Sequence, residues 1–328
     1  RSGPPACLAD EWQMSNRTFA IVAFTVALAI AAGCQLITNE YFFSAAYTVL
    51  LYVILATAWN ILGGYTGYVN FGSAAFFAIG AYTTVALYYA FKAPLLVTVP
   101  AGIAVAGLAG LGLGYLTLRL RGVFFAIASL ALAVMLYVCV VNWTFVGGAR
   151  GAYVLQPEVT PFGLPRYIHL LFAVKVLMAA AALVVARAIE TSTIGRGLAA
   201  IRDDELAAEA AGVPTLRLKI FSAAVSGALM GMAGTTFPYY LSYIEPSSAF
   251  SLAYAVNSIA MPLIGGMMSW MGPLIGAVLL GTVQQLVQVT ISSAWNLLIV
   301  GVLLVVFVTL APNGIMGWVE AWRQRRKP

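Results

Sequence analysis

The chain has 328 residues, 62% of them hydrophobic and only 9% charged, with a mean hydropathy of +0.94. Seventeen Lys and Arg with eleven Asp and Glu cannot supply the polar surface that a soluble fold of this length needs. The formal net charge of +6 suits anchoring on the cytoplasmic side of a membrane and does not imply nucleic acid.

Residues 1–13, "RSGPPACLADEWQ", differ in character from the rest of the chain, and Met14 reads as a natural start. They are set aside as an extraneous or disordered extension. From residue 14 to 318, apolar runs recur that are each long enough to cross about 30 Å of hydrocarbon. No alternation of the outer-membrane barrel type is present. The fold class is therefore all-α: a polytopic helical membrane protein of about ten segments, with glycine-rich broken or re-entrant regions. Hydropathy sets the spans near 19–37, 42–62, 74–91, 94–118, 122–141, 167–188, 220–243, 251–264, 273–291 and 296–311.

Lys and Arg set the sidedness. Arg119 and Arg121 share one turn, Arg187, Arg196, Arg202, Arg217 and Lys219 flank one loop, and residues 319–328 form a basic tail. Ten spans put all three groups and Arg17 in the cytoplasm, with both termini inside. Residues 38–41 and the long loop 142–166 then lie outside, and 189–219 lies inside. Cys7, Cys34 and Cys139 have no metal or redox spacing. His169, at the outer end of the sixth span, reads as an interfacial ring.

The inside loop carries "AIRDDELAAEAAGV", residues 200–213, with four of the eleven acidic side chains. Leu198, Ile201, Ala208 and Ala211 fall on one helical face, with Arg202, Glu205 and Glu209 on the other. Gly212 stands at a left-handed cap and Pro214 forbids continuation. The pattern predicts one helix of about 14 residues, ~21 Å long. A plain solvated connector and a docking element for a soluble partner are both open readings, although a loop of this length exceeds what a connector requires.

Polar residues within spans are costly unless they face protein or water. Asn60, Gly63, Gly64, Tyr65, Asn70 and Ser73 surround the break between spans two and three, and Asn257 precedes Gly265 and Gly266 in a comparable place. These residues are the candidates for a translocation path, as paired broken helices; close helix packing through glycine is the simpler alternative. Gly102, Gly107, Gly110 and Gly114 lie in an unbroken span and serve packing. Lys175, about eight residues into span six, either snorkels to the outer interface or meets a substrate carboxylate. Glu245 belongs to an outer loop. No phosphate-binding G-x-x-x-x-G-K-[ST] motif occurs, so no ATPase chemistry is expected of this chain.

Four stretches, in order, resemble one family: "WNILGGYTGYVNFGSAAFFAIGAYTT" (59–84), the run from Ala200 to Ser251, "PLIGGMMSWMGPLIGAVLLG" (262–281) and "LAPNGIMG" (310–317). They look like the LivM-type permeases of branched-chain amino acid ABC importers. The resemblance implies a bacterial inner-membrane subunit without a cofactor of its own. It also implies a second homologous permease, two cytoplasmic ATPase subunits binding ATP and Mg, and a periplasmic binding protein. The loop would be where an ATPase docks, through Arg202, Asp203, Asp204, Glu205, Glu209, Ala210 and Gly212. Its Glu209-Ala210-Ala211 resembles the EAA loop of other importers, although Gly212 follows without a spacer. A urea or short-amide importer permease is the near alternative. A stand-alone secondary transporter or channel is the distant one.

Overall fold

The fold is given by a computed structural model that describes residues 15–34, 39–117, 120, 122–156, 166–290, 298, 301, 302, 305, 309 and 314–317. In chain order the helices are α1 (Asn16–Gly33), α2 (Glu40–Thr66), α3 (Ser73–Phe91), α4 (Leu95–Thr117), α5 (Val123–Val141), α6 (Tyr167–Glu190), α7 (Thr193–Asp203), α8 (Glu205–Ala210), α9 (Thr215–Thr235), α10 (Phe237–Leu241), α11 (Pro246–Ala249), α12 (Leu252–Gly265) and α13 (Met271–Thr290). Strands β1 (Ala152–Tyr153) and β2 (Tyr243–Ile244) form a short antiparallel ribbon. Among the described residues, nine segments are long and apolar enough to cross a membrane. The expected tenth, 296–311, lies mostly outside the described residues, as do residues 1–13, Arg119, Arg121 and the basic tail.

Helix α2 is the central post, 27 residues and about 40 Å long. Asn39 starts it by accepting the Tyr41 N–H at 3.0 Å, and Glu40 adds a carboxylate at the positive end of the helix dipole. Gly67, at φ +77°, ends it and returns its N–H to the Gly63 carbonyl at 3.0 Å. Helices α6, α9, α12 and α13 all pack on α2, and its residues from Leu51 to Thr66 are buried apart from Tyr52.

Helix α9 is the second post and lies against α2, α3 and α4. Lipid tails are as apolar as leucine, so burial of apolar surface does not drive these helices together, and close contact matters more. Small residues supply it. A methyl placed on Gly80 would sit 1.9 Å from the Gly231 carbonyl oxygen, and one on Gly234 would sit 2.0 Å from that of Phe77. On α4, Gly110 faces the Ala223 carbonyl and Gly107 faces Ala228, so these glycines do pack against α9. Helices α1 and α5 are peripheral. Helix α1 leans on α6, and α5 packs on α3, α4 and α11, with Phe125 against Tyr68 and Ser129 accepting the Phe71 N–H, leaving Val123 73% exposed.

At one end of the bundle the ribbon pairs Ala152 with Ile244 and Tyr153 with Tyr243. Ser242, at φ +61°, reverses the chain after α10, and its carbonyl accepts the Val154 N–H at 2.9 Å. Residues this few carry no periodic signal, so hydropathy predicts no strand here. The α6–α9 connection, with α7 and α8, lies at the opposite end of α9.

Between α9 and α10 the helix is interrupted before Pro238, which has no N–H to give. Neighbouring helices satisfy the junction. Thr84 donates to the Thr235 carbonyl at 2.9 Å, Lys175 donates to that of Ala233, and the Tyr47 and Thr236 hydroxyls share a hydrogen bond at 2.8 Å. The predicted span 220–243 is thus two helices in line.

A paired substitution tests the packing account. Gly80→Ala should lower the thermal midpoint of the detergent-purified protein, at a cost of about 1–3 kcal/mol from overpacking. Gly112→Ala, where an added methyl meets nothing within 4 Å, should leave the midpoint unchanged or slightly raised. Equal midpoints for the two variants would contradict the glycine contacts.

Candidate functional site

The connection from α6 to α9 is built from local caps. Ser192 accepts the Gly195 N–H at 3.3 Å and starts α7. The single helix expected over 198–211 is instead two. Asp204 adopts an extended conformation, and its carboxylate accepts the N–H groups of Leu206 and Ala207 at 2.9 and 3.0 Å. A short acidic side chain that caps its own following turn competes with continuing the helix. Gly212 falls at φ +86°, the left-handed position its place after the helix requires, with its N–H on the Glu209 carbonyl at 3.0 Å. Leu198, Ile201 and Ala208 are buried as the pattern required, whereas Ala211 is exposed.

The break changes where the charges point. Arg202 and Glu205 do not share an outward face with Glu209. The Arg202 guanidinium reaches back to the Gly64 carbonyl at 3.3 Å and to the Met268 sulfur, with Asp203 more loosely placed at 3.7 Å. Glu205 pairs with Lys219 at 2.7 Å and accepts the Tyr68 hydroxyl, and Lys219 also reaches that hydroxyl at 3.3 Å. Their side chains are only 15% and 3% exposed, so this is a largely buried pair. Asp203, Asp204, Leu206, Glu209, Ala210 and Gly212 remain on the outer surface.

Both glycine-rich breaks meet under this helix pair. The turn 67–72 follows α2, and the turn 266–270 separates α12 from α13. Glu190 joins them by accepting the Tyr65 hydroxyl at 3.0 Å and the Trp270 N–H. A methyl on Gly64 would lie 2.9 Å from the Met267 carbonyl oxygen, and one on Gly265 would strike Gly272 at 1.8 Å. Gly266, at φ +116°, makes the turn itself. Gly63 leaves room for the Trp59 ring, whose indole N–H donates to the Asn70 carbonyl at 2.8 Å. Asn70 accepts the Gly72 N–H at 2.8 Å, which shapes the approach to α3. These breaks stand at helix ends, against α7.

From there a polar line runs into the bundle. Tyr52, Ala56, Asn60 and Gly64 follow one i, i+4 ridge of α2, and the last three are buried. Asn257 donates to the Tyr52 hydroxyl at 3.4 Å and accepts from Gln284 at 2.8 Å. The Ser73 and Ser258 hydroxyls are 3.0 Å apart. The line leads to a cavity of about 530 Å³ between α2, α10, α11, α12 and α13, a volume typical of small-molecule sites. Tyr47, Tyr52, Tyr240, Tyr254, Gln285 and Gln288 are among its walls, with Tyr47 and Tyr240 stacked at 4.2 Å. Reading individual polar positions misses these tyrosines, because each looks like ordinary core. The signal is the recurrence Ser44, Thr48, Tyr52 at steps of four on α2, all three of which line the cavity.

Two further residues lie close by. His169, in the first turn of α6, is 7% exposed and packs on Phe43 at 4.1 Å. Lys175 does not snorkel, being fully buried, with its ammonium on the Ala233 carbonyl and 4.9 Å above the Tyr47 ring. Glu245 precedes α11, at the ribbon end.

One loop holds both helix breaks, and a polar line runs from them toward the cavity, an arrangement that suits passage of a solute. Comparison with known proteins agrees. Residues 41–308 match the family described as branched-chain amino acid transport system / permease component. The LivM permease protein of Salmonella typhimurium is 27% identical over 313 residues, 88% of this chain and 73% of the relative. That of Escherichia coli is 27% identical over 318 residues, 89% and 74% respectively. The LivH permease protein of Salmonella typhimurium is 25% identical over 132 residues, 40% of this chain and 42% of that protein. No solved structure matches. The buried breaks, the capped loop and the cavity are therefore parts of a multi-pass permease, and the chain belongs to the permease family of branched-chain amino acid transport systems.

Proposed function

We propose that this chain is the membrane subunit of a binding-protein-dependent ABC importer that carries branched-chain amino acids inward, driven by ATP hydrolysis in partner subunits. The observation that carries the reading is the α7–α8 pair. It grips both helix breaks through Arg202 and the Glu205–Lys219–Tyr68 network, and keeps a separate acidic and small-residue surface on its outer side. A motor that pulled on the outer surface would move the breaks, because the inner contacts tie the two together. Two cytoplasmic ATPases, holding ATP and Mg, would dock there. Similarity to both LivM and LivH proteins supports a second, homologous permease beside this one. A periplasmic binding protein would deliver the solute at the ribbon end. The membrane would be the bacterial inner membrane, and the Lys and Arg distribution supports placing the α7–α8 end in the cytoplasm.

The docking surface and the inner network should separate by mutation. Glu209→Lys should reduce co-purification of the ATPase about tenfold and leave insertion and thermal midpoint unchanged. Glu205→Gln should instead cost about 3–5 kcal/mol of stability, because it removes the carboxylate that balances the buried Lys219 charge. Full ATPase recovery with Glu209→Lys would place the motor elsewhere.

Orientation is read by single cysteines. At Tyr153 or Leu155 they should react with impermeant thiol reagents added outside intact cells, and at Asp203 or Glu209 they should not. The reverse pattern would invert the topology.

Transport itself is tested in liposomes. The chain with its second permease, both ATPases and the binding protein should accumulate leucine, isoleucine or valine on ATP addition, and the chain alone should not. Uptake of urea in place of leucine would keep the mechanism and change the substrate. Gradient-driven uptake by the isolated chain would remove the ABC reading.

A further inference from the structure

Among the described residues, no lysine, arginine or carboxylate lines the cavity of about 530 Å³. A carboxylate entering it must be met by neutral donors, because an anion stripped of water and left unpaired is costly. Several wall hydroxyls are already spent. Tyr41 donates to the Gln285 carbonyl at 3.2 Å, Thr48 to that of Ser44 at 3.0 Å and Ser248 to that of Glu245 at 3.0 Å. Tyr47 shares its hydrogen bond with Thr236. The hydroxyls of Ser44, Tyr240 and Tyr254 have no partner among the described residues that sets their direction.

Tyr52 differs, because a relay reaches it from the buried side. The Gln284 amide donates to the Asn257 side-chain oxygen at 2.8 Å, which leaves Asn257 its N–H groups to offer Tyr52, at 3.4 Å. The Tyr52 oxygen therefore accepts, and its own proton stays unspent among the described residues. Turning both amides over would reverse the relay. It would also set the two N–H groups of Gln284 where its oxygen now lies without a partner. Gln284 is 3% exposed, so two donors would go unpaired there in place of one acceptor. The observed direction is the less costly one.

We propose that Tyr52 is the donor that reads the carboxylate of the solute, held to that role by Asn257 and Gln284 as positioning residues; this rests on the amino-acid reading above. An O–H donated to a carboxylate is a charge-assisted bond, roughly twice as strong as a neutral one. Accepting from Asn257 polarises the Tyr52 proton further, since chained hydrogen bonds strengthen one another. Gln285 and Gln288 line the cavity from α13 and carry side-chain oxygens that suit an ammonium group. Leu51 and the tyrosine rings receive an aliphatic side chain.

The assignment is tested by occupancy. In the full-length chain in lipid nanodiscs, with Cys7, Cys34 and Cys139 replaced by serine, Thr48→Cys puts a thiol in the cavity. Slowing of its reaction with N-ethylmaleimide measures filling by three probes. These are leucine, isovalerate, which keeps a carboxylate without the ammonium, and isovaleramide, which has neither charge. Tyr52→Phe keeps the ring and removes only the donor. It should raise the half-protecting concentrations of leucine and isovalerate about tenfold and leave that of isovaleramide within about twofold. Asn257→Ala should weaken leucine protection when Tyr52 is present and add nothing in the Tyr52→Phe chain, a coupling that a merely structural role would not produce. Unchanged protection by leucine and isovalerate in Tyr52→Phe overturns the proposal. So does an equal loss for isovaleramide, or failure of isovalerate to protect the chain that retains Tyr52. If the reconstituted assembly carries no amino acid while isovalerate protection still depends on Tyr52, the amino-acid reading falls and the carboxylate assignment stands.

Discussion

Helix α9 can lie where it does only because Gly80, Gly231 and Gly234 have no side chains. Its close approach to α3 sets the spacing of the α2, α3, α4 and α9 cluster, since backbones that touch leave no slack for rearrangement. In water a looser fit would still be driven by burial of apolar surface, but in lipid the alternative neighbour is an acyl chain of equal polarity. Close contact is therefore the source of order in this core. The features of the two ends are hung on a scaffold whose dimensions these few positions decide.

A rigid core of this kind divides the labour between the ends. At one end, Arg202 of α7 and Glu205 of α8 fasten that pair to the breaks after α2 and α12, Lys219 ties Glu205 to α9, and Glu190 at the end of α6 joins the two breaks to each other. Toward the other, the interrupted α9–α10 rod contributes Phe237, Tyr240 and Leu241 to the cavity wall. Helices α2 and α9 run between them. A displacement at the loop therefore has two helices along which to reach the aromatic cavity, one of them interrupted just before it.

Much of this was legible in the sequence, for reasons that differ by residue. The spans follow from hydropathy because the hydrocarbon thickness leaves little choice of length. Gly212 could be placed because a left-handed residue after a helix is a local requirement, independent of the rest of the fold. The helix pattern failed at Asp204, where a side chain competed with the backbone ladder, and that failure carried the misreading of Arg202 and Glu205 as outward charges. Position along one ideal helix cannot reveal that Lys219, fourteen residues on, claims Glu205. The cavity was hidden for the opposite reason: its tyrosines come from α2, α10 and α12, and only the tertiary arrangement brings them together. Of the polar residues expected to mark a path, Asn257 bonds Tyr52 and Gln284 and Ser73 bonds Ser258, whereas Asn70 holds the turn before α3.

The Glu205–Lys219 pair has a consequence for how the protein is made. The carboxylate leaves the ribosome before the lysine does, and at about 5–20 residues per second the interval is a second or so. When α9 begins to enter the bilayer, the counter-ion for the lysine at its leading edge is already synthesised and tethered nearby. The costliest charge in that segment need never face hydrocarbon alone, so α8 and α9 can close as a unit before α12 and α13 exist. The contacts of α7 and α8 with α9 would then form before the rest of the bundle is complete, and a chain arrested after α9 would already carry the Glu205–Lys219 pair.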